Sequence, residues 1–175
     1  MKLLFEKGTK ADIDELEKLY DALNDYLACH TNFPGWIKGI YPVRKTAEDG
    51  IEEGTLFVAR SGGRIAGTVI LRHEPEAGYS QADWHIQLEE AEVFVVYTFA
   101  VHPHYLGKGV GKALLEFAVR YSVEQKAKAI RLDVYEHNTP AIGLYKKCGF
   151  QYVDTVDLGY TNYGLDRFEL YQKGL

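Results

Sequence analysis

The chain has 175 residues, of which 46% are hydrophobic and 26% charged, a composition typical of one ordinary globular domain. Its formal net charge of −5 argues against a nucleic-acid partner, because phosphates require a basic surface. No apolar run has the length of a membrane span. Cys29 and Cys148 fit no disulfide framework, so we expect the protein to work in the reducing cytoplasm. We also expect a single domain, residues 1–175, that is a monomer or a homodimer.

The N-terminal segment predicts a strand followed by a helix. Residues 3–7 form the candidate strand, and apolar residues at helical intervals run from Ile13 to Leu27. Thr9 and Asp12 have the spacing of a capping box in front of that helix.

A loop, a short helix and a β-hairpin are predicted next. Residues 31–44 are rich in glycine, proline and aromatic side chains and indicate a structured loop. Thr46 is the candidate cap of a short helix that ends at Gly54. Residues 56–60 and 64–72 predict the two strands of the hairpin, joined by a glycine-rich turn.

The second half of the chain alternates between strands and helices. A polar, turn-rich stretch, residues 74–91, precedes a buried strand over residues 92–101. A glycine turn, a helix and a strand over residues 129–135 follow. Asn138 caps a second helix, and two closing strands are expected over residues 150–156 and 167–172. The order predicts an α/β domain with a mixed sheet and flanking helices.

The glycine turn is the first feature that points to a ligand. Gly107, Gly109 and Gly111 follow a buried strand and open a helix. Helix N-termini present unpaired N–H groups and partial positive charge, and glycines allow the backbone to approach a phosphate closely. Lys108 and Lys112 add positive charge within an otherwise acidic chain.

Several interpretations of this turn compete. A Walker loop is excluded, because Leu106 and Ala113 occupy the positions of its first glycine and its Ser/Thr. A dinucleotide fingerprint lacks its third glycine, where Lys112 stands, although Asp133 lies about where a ribose-binding acid is expected. An acyl-CoA loop and a tight turn without a ligand remain open.

Two segments together decide in favour of the acyl-CoA loop. Residues 99–115 resemble motif A of the GNAT superfamily of N-acetyltransferases, and residues 138–150 resemble its motif B, with the capping asparagine, the tyrosine and the terminal Gly-Phe. The resemblance covers most of the chain and is specific over residues 92–150. It implies an α/β fold with a mixed sheet of about seven strands and about four helices.

The resemblance also implies acetyl-CoA as co-substrate. In this family the amides of the glycine turn hold the pyrophosphate, the preceding strand pairs with pantetheine, and the capping asparagine lies near the thiol. Leu106 stands where the family usually has Arg or Gln, which removes one charge-assisted contact. The cofactor-binding residues so assigned are Phe99, Ala100, Val101, Leu106, Gly107, Lys108, Gly109, Val110, Gly111, Lys112, Asn138, Ala141 and Tyr145.

The expected reaction transfers an acetyl group to a primary amine by direct attack. Tyr145 is the candidate general acid, because a phenol stays protonated at neutral pH and can donate to the departing thiolate. Glu92 or Tyr97 is the candidate general base. No metal is expected, because the His102–His104 pair has no third ligand at a suitable spacing.

The acceptor is not specified by any motif. In the family its site comes from variable segments, which correspond here to residues 32–41, the loop around Trp84, and residues 159–163. Trp36 and Tyr41 are the candidate substrate residues, since aromatic rings can bind a cation, although both can equally serve in packing. A small amine or amino acid is expected; a protein N-terminus or lysine, or a non-catalytic CoA-binding regulatory module, is the alternative.

Overall fold

The computed structural model describes all 175 residues and contains a seven-stranded mixed sheet and four α-helices, which confirms the predicted fold class. The strands are β1 (Leu4–Lys7), β2 (Leu56–Ser61), β3 (Arg64–Arg72), β4 (Val93–Val101), β5 (Ala129–Tyr135), β6 (Gln151–Val156) and β7 (Phe168–Gly174). The helices are α1 (Ile13–Cys29), α2 (Arg44–Glu52), α3 (Val110–Glu124) and α4 (Thr139–Lys147). None of the helices is long and apolar enough to span a bilayer.

The strands lie in the order β1-β2-β3-β4-β5-β7-β6. β1 with β2, β2 with β3, β5 with β7, and β6 with β7 are antiparallel, whereas β4 and β5 are parallel. The parallel register comprises three pairs, from Val93 opposite Ala129 to Val95 opposite Arg131. β4 continues beyond the last of these pairs to Val101.

The chain forms two compact units. The first unit comprises Met1–Asn32, Trp36–Leu71 and Tyr97–Ala118. Its core joins one face of α1 to the inner residues of β2 and β3, and Leu16 and Tyr20 of α1 are both completely buried. Burying a leucine side chain contributes about 1.5–3 kcal/mol, so this apolar stripe fixes how α1 packs on the strands.

The second unit comprises Phe33–Gly35, Arg72–Val96 and Val119–Leu175. Its core is built on β5 and β7, where Ile130, Leu132 and Leu170 are buried. Along β5 the buried residues alternate with Arg131, Asp133 and Tyr135, which are less buried. This alternation places those three side chains together on the opposite face of the strand.

Local details refine the predicted boundaries. α2 begins at Arg44, two positions before the predicted cap, and the Thr46 hydroxyl accepts a hydrogen bond from the Val43 N–H inside the first turn. The hairpin turn consists of Gly62 and Gly63, both with positive φ, as a two-residue connection between β2 and β3 requires. The polar stretch after β3 contains two 3₁₀ turns, Ala77–Gln81 and Glu90–Glu92.

Candidate active site

The glycine turn of the first unit has open backbone next to a helix N-terminus. Gly107 and Gly109 have φ values of +73° and +83°, and no atom lies within 4 Å of where a side chain would begin at either position. α3 begins immediately afterwards, at Val110, and runs for 15 residues. The first N–H groups of such a helix lack intrahelical partners, so the turn presents donors to solvent.

The side chains around this turn divide between packing and solvent. Val110 is buried, so only its backbone is available to a ligand, whereas Leu106 is exposed. Lys108 and Lys112 are exposed as well; Lys108 Nζ lies 5.6 Å from the ring centre of Tyr105, and Lys112 Nζ lies 3.7 Å from Glu116. Both cations are near the helix start, where they can add to its positive potential.

The C-terminal half of β4 contains one residue with an unusual backbone conformation. Thr98 is buried and has a φ of +46°, a conformation that costs a β-branched residue roughly 1–3 kcal/mol. Its hydroxyl forms a short hydrogen bond with the Tyr41 hydroxyl. Phe99, Ala100 and Val101, the predicted pantetheine-binding residues, follow Thr98 in the same strand.

Trp36 and Tyr41, the predicted substrate residues, lie in contact with each other. Their rings meet edge to face with centroids 5.5 Å apart, and Asn24 Nδ2 donates to the Tyr41 carbonyl at 3.1 Å. Trp36 is partly buried and also packs on the core that contains Tyr20. The structure thus brings the two aromatic residues together while giving Trp36 a packing role.

Helix α4 of the second unit carries the predicted acid. Asn138 Oδ1 accepts the Ala141 N–H at 3.4 Å, as predicted for a capping asparagine. Tyr145 is buried, and the centroid of its ring lies 6.1 Å from that of Phe150 and 6.5 Å from that of Tyr171. Burial raises the pKa of the Tyr145 phenol, and the nearby charge of Asp133 raises it further.

Asp133 emerges from the structure as the most perturbed carboxyl group of the second unit. Burial raises its pKa to about 7, although a hydrogen bond from the Tyr79 hydroxyl, 2.6 Å from Oδ2, favours the charged form. Glu76 also raises the pKa of Asp133 through its charge. The Tyr160 hydroxyl donates to Glu76, whose own pKa is raised by burial.

From the sequence alone, Asp133 is a candidate only for a ribose-binding acid. Its position in β5 gave a weak signal, namely an acidic residue between the two buried residues Leu132 and Val134. The partner that identifies it, Tyr79, lies 54 positions away in the chain and follows no motif.

Glu92, the predicted base, has different surroundings. It ends the 3₁₀ turn just before β4, accepts the Glu89 N–H at 2.8 Å, and forms an ion pair with Lys128 at 2.8 Å. The Lys128 contact lowers the pKa of Glu92, which makes it a weaker base. Tyr97, the other candidate, is partly buried against the core of the first unit.

His102 and His104, two positions apart, are joined by a hydrogen bond from backbone to side chain. The His104 N–H donates to His102 Nδ1 at 3.1 Å, and burial lowers the pKa of His102. No group of three or more His, Cys, Asp or Glu side chains is arranged as a metal site.

The seven-stranded mixed sheet, with a glycine turn between β4 and α3 and a capped helix after β5, defines an α/β fold of the acyl-CoA N-acyltransferase class. The chain belongs to the acetyltransferase (GNAT) family, whose sequence model matches residues 16–150. The predicted resemblance is thereby confirmed.

The individual relatives share less than 30% sequence identity with this chain over most of its length. An uncharacterized N-acetyltransferase of Methanocaldococcus jannaschii is 27% identical over 85% of this chain and 60% of its own length. A mycothiol acetyltransferase of Propionibacterium freudenreichii is 29% identical over 84% of this chain and 43% of its own length. The chain therefore spans only about half the length of these two relatives. The crystal structure of a GNAT-family acetyltransferase from Streptococcus agalactiae superposes with a TM-score of 0.81, at 21% identity, over 99% of this chain and 95% of that one.

Proposed function

We propose that the chain is an acetyl-CoA-dependent N-acetyltransferase, in one catalytic domain, that acetylates a primary amine of a small molecule or amino acid. The observation that carries the proposal is the glycine turn, in which Gly107 and Gly109 leave open space beside the start of α3. Family membership implies acetyl-CoA as the acyl donor.

The same observation supports the assignment of the donor-binding residues. The amides of residues 107–111 hold the pyrophosphate, and Lys108 and Lys112 add to the attraction. The backbone of Phe99, Ala100 and Val101 pairs with pantetheine, because a strand edge offers a row of hydrogen-bonding groups. Bound acetyl-CoA supplies the activated acetyl thioester.

Asp133 is the general base in this proposal, in place of Glu92. A base is most effective when its pKa lies near the working pH, and the pKa of Asp133 is raised to about 7 by burial. Glu92 is paired with Lys128, and its pKa is lowered. A carboxylate that is already neutralised by an ammonium group has little tendency to take up a further proton.

The proposed base and acid, Asp133 and Tyr145, both belong to the second unit. The amine nitrogen bonds to the acetyl carbon, and the proton that it loses passes to Asp133. The carbon–sulfur bond breaks, and the departing sulfur accepts a hydrogen bond from the Tyr145 hydroxyl. The proton taken up by Asp133 then passes to the thiolate by way of the Tyr145 hydroxyl, so both groups return to their starting protonation states. Because burial raises the pKa of Tyr145, its hydroxyl stays protonated at working pH and stabilises sulfur chiefly as a hydrogen-bond donor.

A small-molecule acceptor fits the observations best. Trp36 and Tyr41 pack edge to face in a loop of the first unit, and we propose that they line part of the acceptor pocket. The similarity to a mycothiol acetyltransferase supports a small acceptor. A protein N-terminus or lysine is the second candidate.

Release of free thiol from acetyl-CoA in the presence of a panel of amines, amino acids and peptides tests the function. We expect release with at least one small amine, a fall of about 10²- to 10⁴-fold in Asp133→Asn, and a change below about threefold in Glu92→Gln. The reverse ranking of the two variants would return the base role to Glu92. Acetyl-CoA binding without thiol release from any acceptor would instead indicate a regulatory module.

A further inference from the structure

The segment between β3 and β4 places one phenol against the proposed base. Its 3₁₀ turn, Ala77–Gln81, directs the Tyr79 hydroxyl to within 2.6 Å of Asp133 Oδ2. Tyr79 is only 2% exposed, so the donor side of this part-buried hydrogen bond is shielded from solvent. A shielded bond to a charged oxygen is stronger than a neutral one in water.

Several contacts hold Tyr79 in this position. Trp84 Nε1 donates to the Tyr79 carbonyl at 2.9 Å, and the two rings lie 5.3 Å apart. The Arg131 guanidinium lies 4.2 Å from the Trp84 ring centre. Gln172 completes the brace, because it donates to the Trp84 carbonyl at 3.0 Å and accepts from Arg131 Nε at 2.7 Å.

Arg131 and Gln172 belong to the strands that carry and flank the proposed base. Arg131 is two residues before Asp133 in β5, and Gln172 lies opposite Arg131 in β7. The brace therefore fixes the Tyr79 hydroxyl relative to the same two strands that fix the Asp133 carboxylate. A hydrogen bond between two fixed groups loses little entropy when it forms.

Glu76 has the opposite electrostatic effect on Asp133. It lies three residues before Tyr79, and its negative charge disfavours a second charge on Asp133. The Tyr160 hydroxyl donates to Glu76 at 2.9 Å and keeps part of that charge in place. Arg131 and Tyr135 are ionisable groups on the same face of β5 as Asp133, and Tyr145 of α4 is close enough to feel its charge.

We propose that Tyr79 is a positioning residue, which orients the Asp133 carboxylate and, opposed by Glu76, sets the pH at which this carboxylate loses its proton. This inference rests on the proposed function, in which Asp133 is the base. It assigns a purpose to the segment after β3, which no sequence motif identifies.

Two substitutions should move the pH dependence in opposite directions. Tyr79→Phe removes a hydrogen-bond donor to the charged Asp133 carboxylate, so the pKa of Asp133 rises. The low-pH midpoint of the kcat/KM profile should therefore shift to higher pH by about one unit. Activity at pH 7 then falls about fivefold, while the rate well above pH 8 stays within about twofold of the parent. Glu76→Gln removes a repelling charge and should move the same limb to lower pH.

Titration of the Asp133 carboxyl carbon by NMR provides a readout independent of turnover. We expect its midpoint to rise in Tyr79→Phe, to fall in Glu76→Gln, and to stay unchanged in Tyr26→Phe, which removes an exposed phenol from α1. A midpoint that is the same in all three variants overturns the inference. The inference is also overturned if Tyr79→Phe loses activity equally at every pH, keeps the pH midpoints of its kcat/KM profile and has a lower Tm. Lost packing alone would then explain the effect.

The inference and the proposed function fail in different ways. If NMR shows the two opposite shifts but Asp133→Asn keeps full activity, the positioning of Asp133 by Tyr79 stands and its role as base is wrong. If Asp133→Asn is inactive and neither variant moves the carboxyl titration, the base role stands and the inference about Tyr79 is wrong.

Discussion

In the proposed reaction, Asp133 and Tyr145 have different proton tasks, although burial affects both groups. Burial raises the pKa of both, but the starting values differ. The carboxyl reaches about 7, where it can take up and release a proton, whereas the phenol stays protonated throughout the physiological range. Their mutual repulsion reinforces this division, since a charged Asp133 disfavours a phenolate at Tyr145.

Removing the Tyr145 hydroxyl by Tyr145→Phe should therefore affect chemistry more than folding. The ring keeps its contacts with Phe150 and Tyr171, so acetyl-CoA binding should change little. We expect kcat and kcat/KM to fall together by about 10²- to 10⁴-fold, because the donor matters mainly as charge develops on sulfur.

An aryl thioester donor supplies the control for that experiment. Its thiol is much more acidic, so its departure needs less help and should be less sensitive to the substitution. Full activity of Tyr145→Phe with acetyl-CoA, measured where chemistry limits the rate, would leave Tyr145 with a packing role only.

At the residue scale, sequence could identify Tyr145 but not Asp133. Tyr145 belongs to a local motif, which runs from the capping Asn138 through α4 to Gly149 and Phe150. The raised pKa of Asp133 arises from burial and from Glu76, opposed by Tyr79, and both partners come from another part of the chain. Burial and long-range contacts are properties of the folded chain, so no local pattern reveals them.

The turn and helix after β4 act together as one element. Gly67 of β3 allows α3 to approach closely, because a side chain there would lie 3.1 Å from the Ala100 carbonyl and 3.3 Å from the methyl groups of Val110 and Leu114. The buried Val110 side chain anchors the first turn of α3, while the preceding glycines stay exposed. The packing of Val110 thus fixes the start of α3 against β3, while the turn before it remains open to solvent.

Gly111→Asp should separate donor binding from helix stability. A carboxylate in the first turn of α3 is favourable to the free helix, so the Tm without ligand should stay equal or rise slightly. The same charge repels a pyrophosphate, and we expect the stabilisation by acetyl-CoA to disappear. Differential scanning fluorimetry with and without acetyl-CoA measures both effects.

Gly111→Asn is the matched control, because it has nearly the same size without the charge. We expect it to bind acetyl-CoA at least about tenfold more tightly than Gly111→Asp, a difference of about 1.4 kcal/mol. If acetyl-CoA stabilised both variants and the parent equally, the glycine turn would not be part of the donor-binding site.

At the element scale, regular segments were predictable and the connection after β3 was not. The seven strands and four helices follow apolar periodicity and caps, which are local signals. The fold of the connection depends on contacts such as Trp84 with Gln172, 88 positions apart. Its polar composition indicates only a loop, and its partners are set by tertiary structure.

The whole molecule carries carboxyl groups with opposite effects on stability. The pKa of Glu92 is lowered by Lys128, so this pair stabilises the fold above the unfolded pKa and is lost in acid. Ionisation of Asp133 destabilises the fold instead, because its folded pKa of about 7 lies above the unfolded value of about 3.9. Between these two values the folded state holds more protons than the unfolded state, so stability falls as pH rises.

Asp133→Asn should therefore stabilise the protein at high pH and leave it nearly unchanged in acid. Near pH 4 the parent carboxyl is largely protonated when folded and resembles an uncharged amide, so the free energies of unfolding should be similar. Above pH 7 the parent holds a buried charge that the variant lacks, and the variant should be more stable by about 2–4 kcal/mol. Urea unfolding of both proteins at several values from pH 4 to pH 9 measures this difference. A difference that does not change with pH would show that the pKa of Asp133 is not raised in the folded state. An advantage of Asp133→Asn that grows with pH would show that the carboxylate is kept at a cost to stability, as expected of a group with the proposed role in the reaction.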